Sequence, residues 1–338
     1  MVIFFAIYLI LIVIGIKFRS EDNNFLSFDQ TNALKGIGIM TVFFNHIYNG
    51  YLTPHGVLHH PYLDEPFVFF ESTMTGMFVG MFLFFSGYGI VESVKKKGQL
   101  YIDQMPVKRL GTTLFNFDIA VLFFFVANLL LKMSLPPKVV LLSLVGWESI
   151  GNSNWYIFAI LCCYLFSYIS FKVCSSRQRA ILLVFLLVLG YFVLMYFYKQ
   201  PWWYNTIFCY PVGMLYSEYK EKINCFLGKR YLVCFVLAII TFGGSYIFYI
   251  NPIMYNIAAV AFSFICVLIS MKVTLRSQPL IWMGAHLFPL YIFQRLPMFV
   301  IDIWKPELID KTPYLYLIIC IIITLLIGLK VPVVKLGK

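Results

Sequence analysis

The residues that could do chemistry in this 338-residue chain are a few charged and imidazole side chains inside apolar stretches. Lys35 and His46 lie eleven positions apart in one such stretch. In a helix, eleven steps of about 100° bring two side chains within roughly 20° of one direction and about 16 Å apart along the axis. A cation and an imidazole on one face suit an anion-binding group and a general base. The alternative is a lysine that reaches solvent and a histidine bonded to a carbonyl.

Glu71 and Arg295 also lie inside apolar stretches, where a charge is costly and usually functional. We expect Glu71, or Asn45, to orient His46 and raise its basicity. Arg295 stays charged, so it needs an acid, a carbonyl, a ligand or water around it. Glu71 and Asp302 are its candidate acidic partners, and structural pairing and ligand contact are both open.

A third group of candidates consists of three bases at predicted helix ends: Lys35, Lys108 and Arg109. Such a cluster can hold phosphates through charge-assisted hydrogen bonds. The alternative is contact with lipid headgroups.

The composition places all these residues in a membrane. With 61% hydrophobic and 12% charged residues, against about 45–50% and about 25% in soluble domains, the chain cannot cover its apolar surface. A soluble enzyme, a secreted disulfide scaffold and a disordered chain are excluded. We predict an all-α polytopic bundle of about 11 transmembrane helices, a single domain over 1–338 without a soluble domain. The predicted spans are 1–17 (an additional N-terminal one), 33–51, 67–91, 110–131, 154–172, 179–198, 204–219, 231–250, 254–271, 280–302 and 313–331.

The net charge of +11 is then explained by the membrane topology, because most of the basic residues fall in loops on one side. Alternating the loops puts 20 of the 26 Lys and Arg residues on one side and five on the other, with Arg295 inside a span. The positive-inside rule predicts a cytoplasmic-membrane protein with its N-terminus outside and its C-terminus cytoplasmic. A nucleic-acid partner is not expected. The eight cysteines show no metal-ligand spacing, so no metal is expected either.

Five segments together resemble the membrane acyltransferase 3 family, which includes bacterial O-acetyltransferases of surface polysaccharides. They carry a basic-x10-histidine pattern, a Phe-rich stretch ending in Ser-Gly, a basic segment, a Trp-bearing span and a late span of the form G-x-x-S-x-x-x-Y-x-x-H. In this chain they read NALKGIGIMTVFFNHI (32–47), GMFLFFSGYGI (80–90), VKRLGTTLF (107–115), NSNWYIFAIL (152–161) and LIWMGAHLFPLYIFQ (280–294).

This chain departs from the family pattern at three positions. The segment with Arg109 has Thr112 where the family often has a second arginine, so Lys108 is the substitute phosphate contact. In the late span, His286 stands at the usual Ser position and Gln294 at the usual His position.

The resemblance implies a transferase that moves an acetyl group from cytoplasmic acetyl-CoA, or another acyl-CoA, to a hydroxyl of a cell-surface or lipid-linked glycan. His46 would act as general base or as transient acyl carrier, and Lys35, Lys108 and Arg109 would hold the CoA phosphates. Arg295 or Asn154 would stabilise the oxyanion. Asn45, Asn154, Trp155 and Gln294 are the expected substrate contacts. Trp155, Trp202, Trp203 and Tyr156 either stack on a sugar or form an interfacial aromatic belt.

Two other classes of function remain open from the sequence. A transporter or flippase for a lipid-linked glycan or small solute would use the same buried polar groups as its path. It predicts an internal repeat, and the two halves show no convincing one. A noncatalytic partner in a polysaccharide-assembly complex would not need Lys35 and His46 on one face.

Overall fold

The structure is a computed structural model that describes residues 2–18, 25–57 and 64–337. Within these ranges the chain is almost wholly helical, with one two-stranded antiparallel sheet that pairs β1 (Ile16–Phe18) with β2 (Val273–Leu275). The α-helices are α1 (Val2–Ile14), α2 (Phe28–Ile47), α3 (Glu65–Lys97), α4 (Gln99–Met105), α5 (Thr112–Leu130), α6 (Pro137–Leu144), α7 (Trp155–Val173), α8 (Arg177–Tyr198), α9 (Cys209–Glu218), α10 (Lys220–Lys229), α11 (Tyr231–Tyr246), α12 (Pro252–Lys272), α13 (Gln278–Ala285), α14 (Leu287–Phe293), α15 (Arg295–Trp304), α16 (Glu307–Lys311) and α17 (Pro313–Lys330).

An all-α polytopic membrane protein is confirmed. In the described residues, seven helices are long and apolar enough to cross a membrane, and α10 with α11, bent by 101°, would make an eighth. The other three predicted spans are α1, α2 and α9. The 13 residues of α1 rise only about 20 Å, and α9 has 10 residues. The 20-residue α2 is long enough, but its sequence carries many polar residues.

Two helix pairs that hold the centre of the bundle pack through glycines. A Cβ on Gly36 of α2 would overlap the Leu280 carbonyl oxygen of α13, and one on Gly284 of α13 would overlap the Asn32 carbonyl oxygen of α2. A similar contact joins α3 to α9, where a Cβ on Gly87 would overlap the Tyr210 carbonyl oxygen. Close backbone approach of this kind is how helices associate where lipid removes the hydrophobic driving force.

The bundle has two distinct ends. At the basic end, where α2 begins and α3 ends, ion pairs join neighbouring helix termini: Lys172 with Asp103 (2.6 Å), Arg177 with Glu218 (2.9 Å) and Lys220 with Glu92 (3.7 Å). The β1–β2 sheet lies at the same end, because Gln30 of α2 bonds to Val273 and Leu275. At the histidine end, where α2 ends and α3 begins, the Lys199 ammonium lies 4.1 Å from the Trp147 ring centroid. These contacts group the loops as the predicted alternation requires.

Helix irregularities occur at three places that matter for the site. A π-helical turn, Tyr48–Leu52, directly follows α2, and a second, Pro106–Gly111, joins α4 to α5. The late span is broken at His286, and its hydrogen-bond ladder is interrupted again at Gln294, whose backbone stays in the α-helical region, so that Arg295 begins α15. Pro289 and Pro297 lie around the second break, where they remove backbone donors. Such irregular backbone in a membrane protein is tolerated where other protein groups or a cavity satisfy it.

Candidate functional site

The face of α2 that carries Lys35 and His46 is continuous. Both residues lie in the same uninterrupted helix, Lys35 about two turns from its start and His46 in its last turn. The periodicity therefore places the two side chains on one face, about 16 Å apart along the axis. Lys35 faces the basic end of the bundle and His46 lies at the histidine end.

His46 lies beside two residues of the broken late span. Its ring centroid is 6.4 Å from that of Tyr291, and the Arg295 guanidinium is within electrostatic range of it. The Nδ1 atom of His46 is buried and has no hydrogen-bond partner among the described residues. The residue as a whole is half-buried.

Arg295 is held by an aromatic ring and by no acid. Its guanidinium carbon lies 6.0 Å from the ring centroid of Tyr51, in the π-helical turn after α2. Its Nε is buried without a partner, and no ion pair joins it to Glu71 or Asp302 within the described ranges. The expected acidic partner is therefore not formed. A cation beside an imidazole, with its Nε donor unpartnered, is an arrangement that suits a developing oxyanion.

Glu71 forms a separate cluster with two amides. Asn45 Nδ2 donates to Glu71 Oε2 at 2.6 Å, and Asn49 Nδ2 donates to Oε1 at 3.1 Å. The carboxylate is buried, with 1% of the residue exposed, and makes no hydrogen bond to His46. We expected Glu71 or Asn45 to contact and orient His46, but Glu71 and Asn45 contact each other instead. This cluster fixes the end of α2 against α3, and so positions His46 through the backbone.

At the other end of the face, Lys35 and Arg109 are within electrostatic range of each other. Arg109 Nε donates to the Tyr101 hydroxyl at 2.9 Å, and the rest of its guanidinium has no ion pair in the described part of the chain. Both residues are half-buried. Two cations that stay close without an acid form a net positive site for an anion. Lys108 is exposed and lies beside Gly337 instead, so the structure brings together two of the three predicted bases.

A row of buried tyrosines connects the two cation sites. Tyr164 is within electrostatic range of Arg109 and of Tyr156. The Tyr156 ring centroid lies 5.3 Å from that of Tyr291, which reaches His46 and Arg295. The interior between the two ends of the α2 face thus carries a series of hydroxyl groups.

The residues expected to contact the substrate differ in their burial and in their hydrogen bonds. Gln294, 1% exposed, lines an apolar pocket, and its Oε1 has no hydrogen-bond partner in the described residues. Asn154 precedes α7 and donates from Nδ2 to the Gly146 carbonyl, so it holds the preceding loop. Trp155 is half-buried with its ring edge on Tyr156.

The proposed aromatic surface at the histidine end needs a correction. Tyr156 and Trp203 are 8% and 6% exposed, so they lie in the interior and not at a surface. Trp202, at 51%, is exposed. Trp203 packs against Trp147 and Lys199, which explains its burial. Stacking on a sugar is thus open to Trp202 and to the accessible part of Trp155.

Sequence reasoning missed three contributors. Tyr291 precedes Gln294 by three positions in the Y-x-x-H segment, and that motif was the available signal. Asn49 and Tyr51 gave no signal, because the π-helical turn that aims them at Glu71 and Arg295 is not visible in the hydropathy pattern.

His286 is structural, since its Nδ1 lies 2.9 Å from the Trp282 carbonyl and its ring stacks on the Trp282 ring.

The His55 imidazole bridges two carboxylates at the histidine end of the bundle, and we call these two contacts the histidine clasp. His55 Nε2 lies 2.6 Å from Asp302 Oδ1, and His55 Nδ1 lies 2.8 Å from Asp310 Oδ1. Both ring nitrogens can donate only when the imidazole is protonated. The hydrogen bond to Asp302, followed by that to Asp310, raises the pKa of His55 above its usual 6.5. The clasp joins the loop after Tyr51 to the end of α15, the helix that Arg295 begins.

Comparison with known proteins identifies the family of this chain. A family model described as an acyltransferase domain, that of the acyltransferase 3 family, matches residues 28–330. No curated protein and no solved structure matches the chain. The matched region contains α2, α3, α5 and the broken late span, and so every residue of the two cation sites. The chain therefore belongs to the acyltransferase 3 family and is a multi-pass membrane acyltransferase.

Proposed function

We propose that this protein is an O-acetyltransferase that moves an acetyl group from cytoplasmic acetyl-CoA to a hydroxyl of a cell-surface or lipid-linked glycan of a bacterial cell envelope. The basic end faces the cytoplasm and receives the donor, and the histidine end receives the acceptor. This orientation follows from the excess of bases on the loops of that end. The N-terminus then lies outside and the C-terminus inside, in the cytoplasmic membrane.

The observation that carries the proposal is the pairing of His46 with Arg295. The two groups lie within electrostatic range, with no ion pair to an acid among the described residues, beside a helix break. An arginine that served only to hold helices together inside a membrane would be expected to bond to a carboxylate or a backbone carbonyl, because an uncompensated cation is costly there, and no such bond of Arg295 is present among the described residues. A site that keeps an imidazole close to a guanidinium without a carboxylate partner is suited to deprotonating a hydroxyl and stabilising the oxyanion that forms on the thioester carbonyl.

The transfer step follows from these positions. His46 accepts the proton of the acceptor hydroxyl as its oxygen attacks the thioester carbonyl carbon. Arg295 binds the oxygen that becomes negative in the tetrahedral intermediate. The carbon–sulfur bond then breaks, the new ester keeps the acyl group, and the CoA sulfur takes the proton from His46. In the covalent alternative, a His46 nitrogen attacks the thioester carbon and the carbon–sulfur bond breaks, so that CoA leaves as the thiol. The acceptor hydroxyl then attacks the acyl-imidazole, which forms the ester and restores the free imidazole.

The donor site would use Lys35 and Arg109, with Lys108 at its exposed rim. Their charges would hold the CoA phosphates at the basic end. The arm of the cofactor would then run along the α2 face past Tyr164 and Tyr156 to place the thioester at His46. The length of that face, about 16 Å from Lys35 to His46, suits an extended arm.

The experiment measures transfer of labelled acetyl groups from acetyl-CoA to the membrane fraction and to surface glycan, at equal protein abundance. His46→Ala and Lys35→Ala are compared with wild type. Matched controls are His286→Ala, a histidine bonded to a carbonyl, and Lys138→Ala, an exposed lysine at the other end.

We expect both site variants to lose nearly all transfer and both controls to keep most of it. Full acetylation in His46→Ala and Lys35→Ala would show that the roles are wrong. If deletion of the protein stops glycan export and leaves acetylation unchanged, a transporter is the better reading.

A further inference from the structure

Four buried polar atoms without a hydrogen-bond partner in the described part of the chain belong to one place at the histidine end. Two of them are His46 Nδ1 and Arg295 Nε, of the pair described above. The other two are the hydroxyl oxygens of Tyr291 and Ser153, residues that are each 3% exposed. A buried polar group without a partner costs free energy, so a polar group of a bound molecule would be stabilised here.

The Tyr291 hydroxyl lies on the same side of the late span as Arg295. Gln294, between them, keeps helical backbone angles, with φ −56° and ψ −32°. Four helical steps of about 100° therefore bring the two side chains within about 40° of one direction and about 6 Å apart along the axis. The guanidinium is within electrostatic range of this hydroxyl, and the Tyr291 ring centroid lies 6.4 Å from that of His46. The hydroxyl is thus a third polar group beside the imidazole and the guanidinium.

Buried tyrosine hydroxyls elsewhere in this protein are bonded. The Tyr191 hydroxyl donates to the Trp203 carbonyl at 3.1 Å, and the Tyr210 hydroxyl lies 2.8 Å from Ser167 Oγ. Among the tyrosines that the structure describes, Tyr291 is the one whose fully buried hydroxyl has no partner. A phenylalanine would serve packing equally well at this position, so the free hydroxyl needs another explanation.

The Ser153 hydroxyl is placed to support that of Tyr291. It belongs to the loop before α7 and is within electrostatic range of the Tyr291 hydroxyl. The loop is fixed across this face, because a Cβ on Gly151 would lie 3.2 Å from the ring of Phe299, one helical turn beyond Arg295. A tyrosine oxygen that donates its hydrogen can at the same time accept one from a serine. Such a chain polarises the hydrogen bond that the tyrosine donates.

We propose that the Tyr291 hydroxyl is a second donor to the thioester carbonyl oxygen, beside Arg295, and that Ser153 positions it. This proposal rests on the proposed acyl transfer and adds one catalytic and one positioning residue. When the carbonyl carbon is attacked, its oxygen becomes negative and accepts hydrogen bonds from the hydroxyl and the guanidinium. Tyr291 keeps its proton, and no bond to it forms or breaks. The charge returns to the carbonyl as the carbon–sulfur bond breaks.

The test uses Tyr291→Phe, which removes one oxygen and keeps the ring, and Ser153→Ala, alone and combined. The matched control for the tyrosine is Tyr191→Phe, whose hydroxyl is bonded to a backbone carbonyl. The matched control for the serine is Ser143→Ala, a buried residue bonded to a carbonyl of its own helix. The constants kcat and KM for labelled acetyl-CoA are measured in membranes of known protein abundance, and Tm is measured in detergent.

We expect Tyr291→Phe to lower kcat by about 10²–10³, with KM for the donor and Tm nearly unchanged. Ser153→Ala should lower kcat by about two- to tenfold, the effect of one neutral hydrogen bond. It should have no effect in the Tyr291→Phe background, because it acts through the tyrosine hydroxyl. Both controls should keep the wild-type kcat.

A wild-type kcat in Tyr291→Phe, with transfer still dependent on Arg295, overturns the assignment of Tyr291 alone. A loss of kcat that comes with a lower Tm or a raised KM also overturns it, since the hydroxyl would then serve packing or ground-state binding. Equal effects of Ser153→Ala in the two backgrounds overturn the role of Ser153. A wild-type protein that transfers no acetyl group from acetyl-CoA overturns this proposal together with the proposed function.

Discussion

Replacing His55 by glutamine should make the stability of the protein less dependent on pH. His55 joins the loop after the π-helical turn to α15 and α16 by two contacts, at 2.6 Å to Asp302 and 2.8 Å to Asp310. A neutral imidazole has one donor nitrogen, so above its pKa one of the two carboxylates faces a ring nitrogen that can only accept. The clasp is therefore complete only when His55 is charged.

The size and sign of the effect follow from exposure and from the pKa direction. The side chains are 20%, 30% and 50% exposed for His55, Asp302 and Asp310, so solvent screens the contacts and each contributes about 0.2–1 kcal/mol. The folded-state pKa of His55 lies above 6.5, so the stabilisation is full below about pH 6.5. It is lost as the pH rises through the folded-state pKa. The expected total is about 1 kcal/mol.

The assay is thermal unfolding in detergent at pH 5.5 and pH 9. We expect wild type to exceed His55→Gln in Tm by about 1–3 °C at the lower pH and to match it at the higher one. In a background with both Asp302→Asn and Asp310→Asn, the same substitution should have no pH-dependent effect. A difference between wild type and His55→Gln that is equal at the two pH values would refute this account of the clasp.

Three further predictions concern the two cation sites and the packing between them. Arg109→Gln should raise KM for acetyl-CoA roughly 10–150-fold with little change in kcat, since a charge-assisted hydrogen bond is worth about 1.5–3 kcal/mol. The control in the same transfer assay is Arg177→Gln, because the Arg177 guanidinium is bonded to the Glu218 carboxylate. Arg295→Gln should lower kcat by about 10²–10³ with KM for the donor nearly unchanged, in steady-state transfer kinetics. Gly284→Val should reduce the amount of folded protein in membranes, because the valine side chain would overlap the α2 backbone. The measurement is the amount of protein that stays soluble and monodisperse after extraction in mild detergent. Gly243→Val is the control and should have no effect, because the space around Gly243 is open.

The sequence predicted the placement of Lys35 and His46 because a helix imposes its own periodicity, and nothing in the packing could rotate one residue relative to the other within α2. It also predicted that Arg109 lies near Lys35, since both occur at helix ends on the side with most bases. It failed for Glu71, which was expected to orient His46 and bonds to Asn45 instead. Depth constrains one coordinate of a side chain, and the choice between Asn45 and His46 depends on the rotation of α3 about its axis.

Three residues of the two cation sites lie at irregularities of the helices. His46 precedes a π-helical turn, Arg109 lies within another, and Arg295 begins a helix after a break. A regular helix inside a membrane bonds all its own backbone groups and turns each side chain by a fixed angle, so it has little freedom to aim two side chains at one point. An extra residue in a turn shifts every later side chain, and a break lets one residue project where two helices meet. Hydropathy averages over about 19 residues and cannot register a single inserted residue. In this fold, the candidate functional residues therefore lie at helix irregularities that the hydropathy pattern cannot reveal. An irregular backbone inside a membrane costs free energy, and this cost is itself a reason to look for function at such positions.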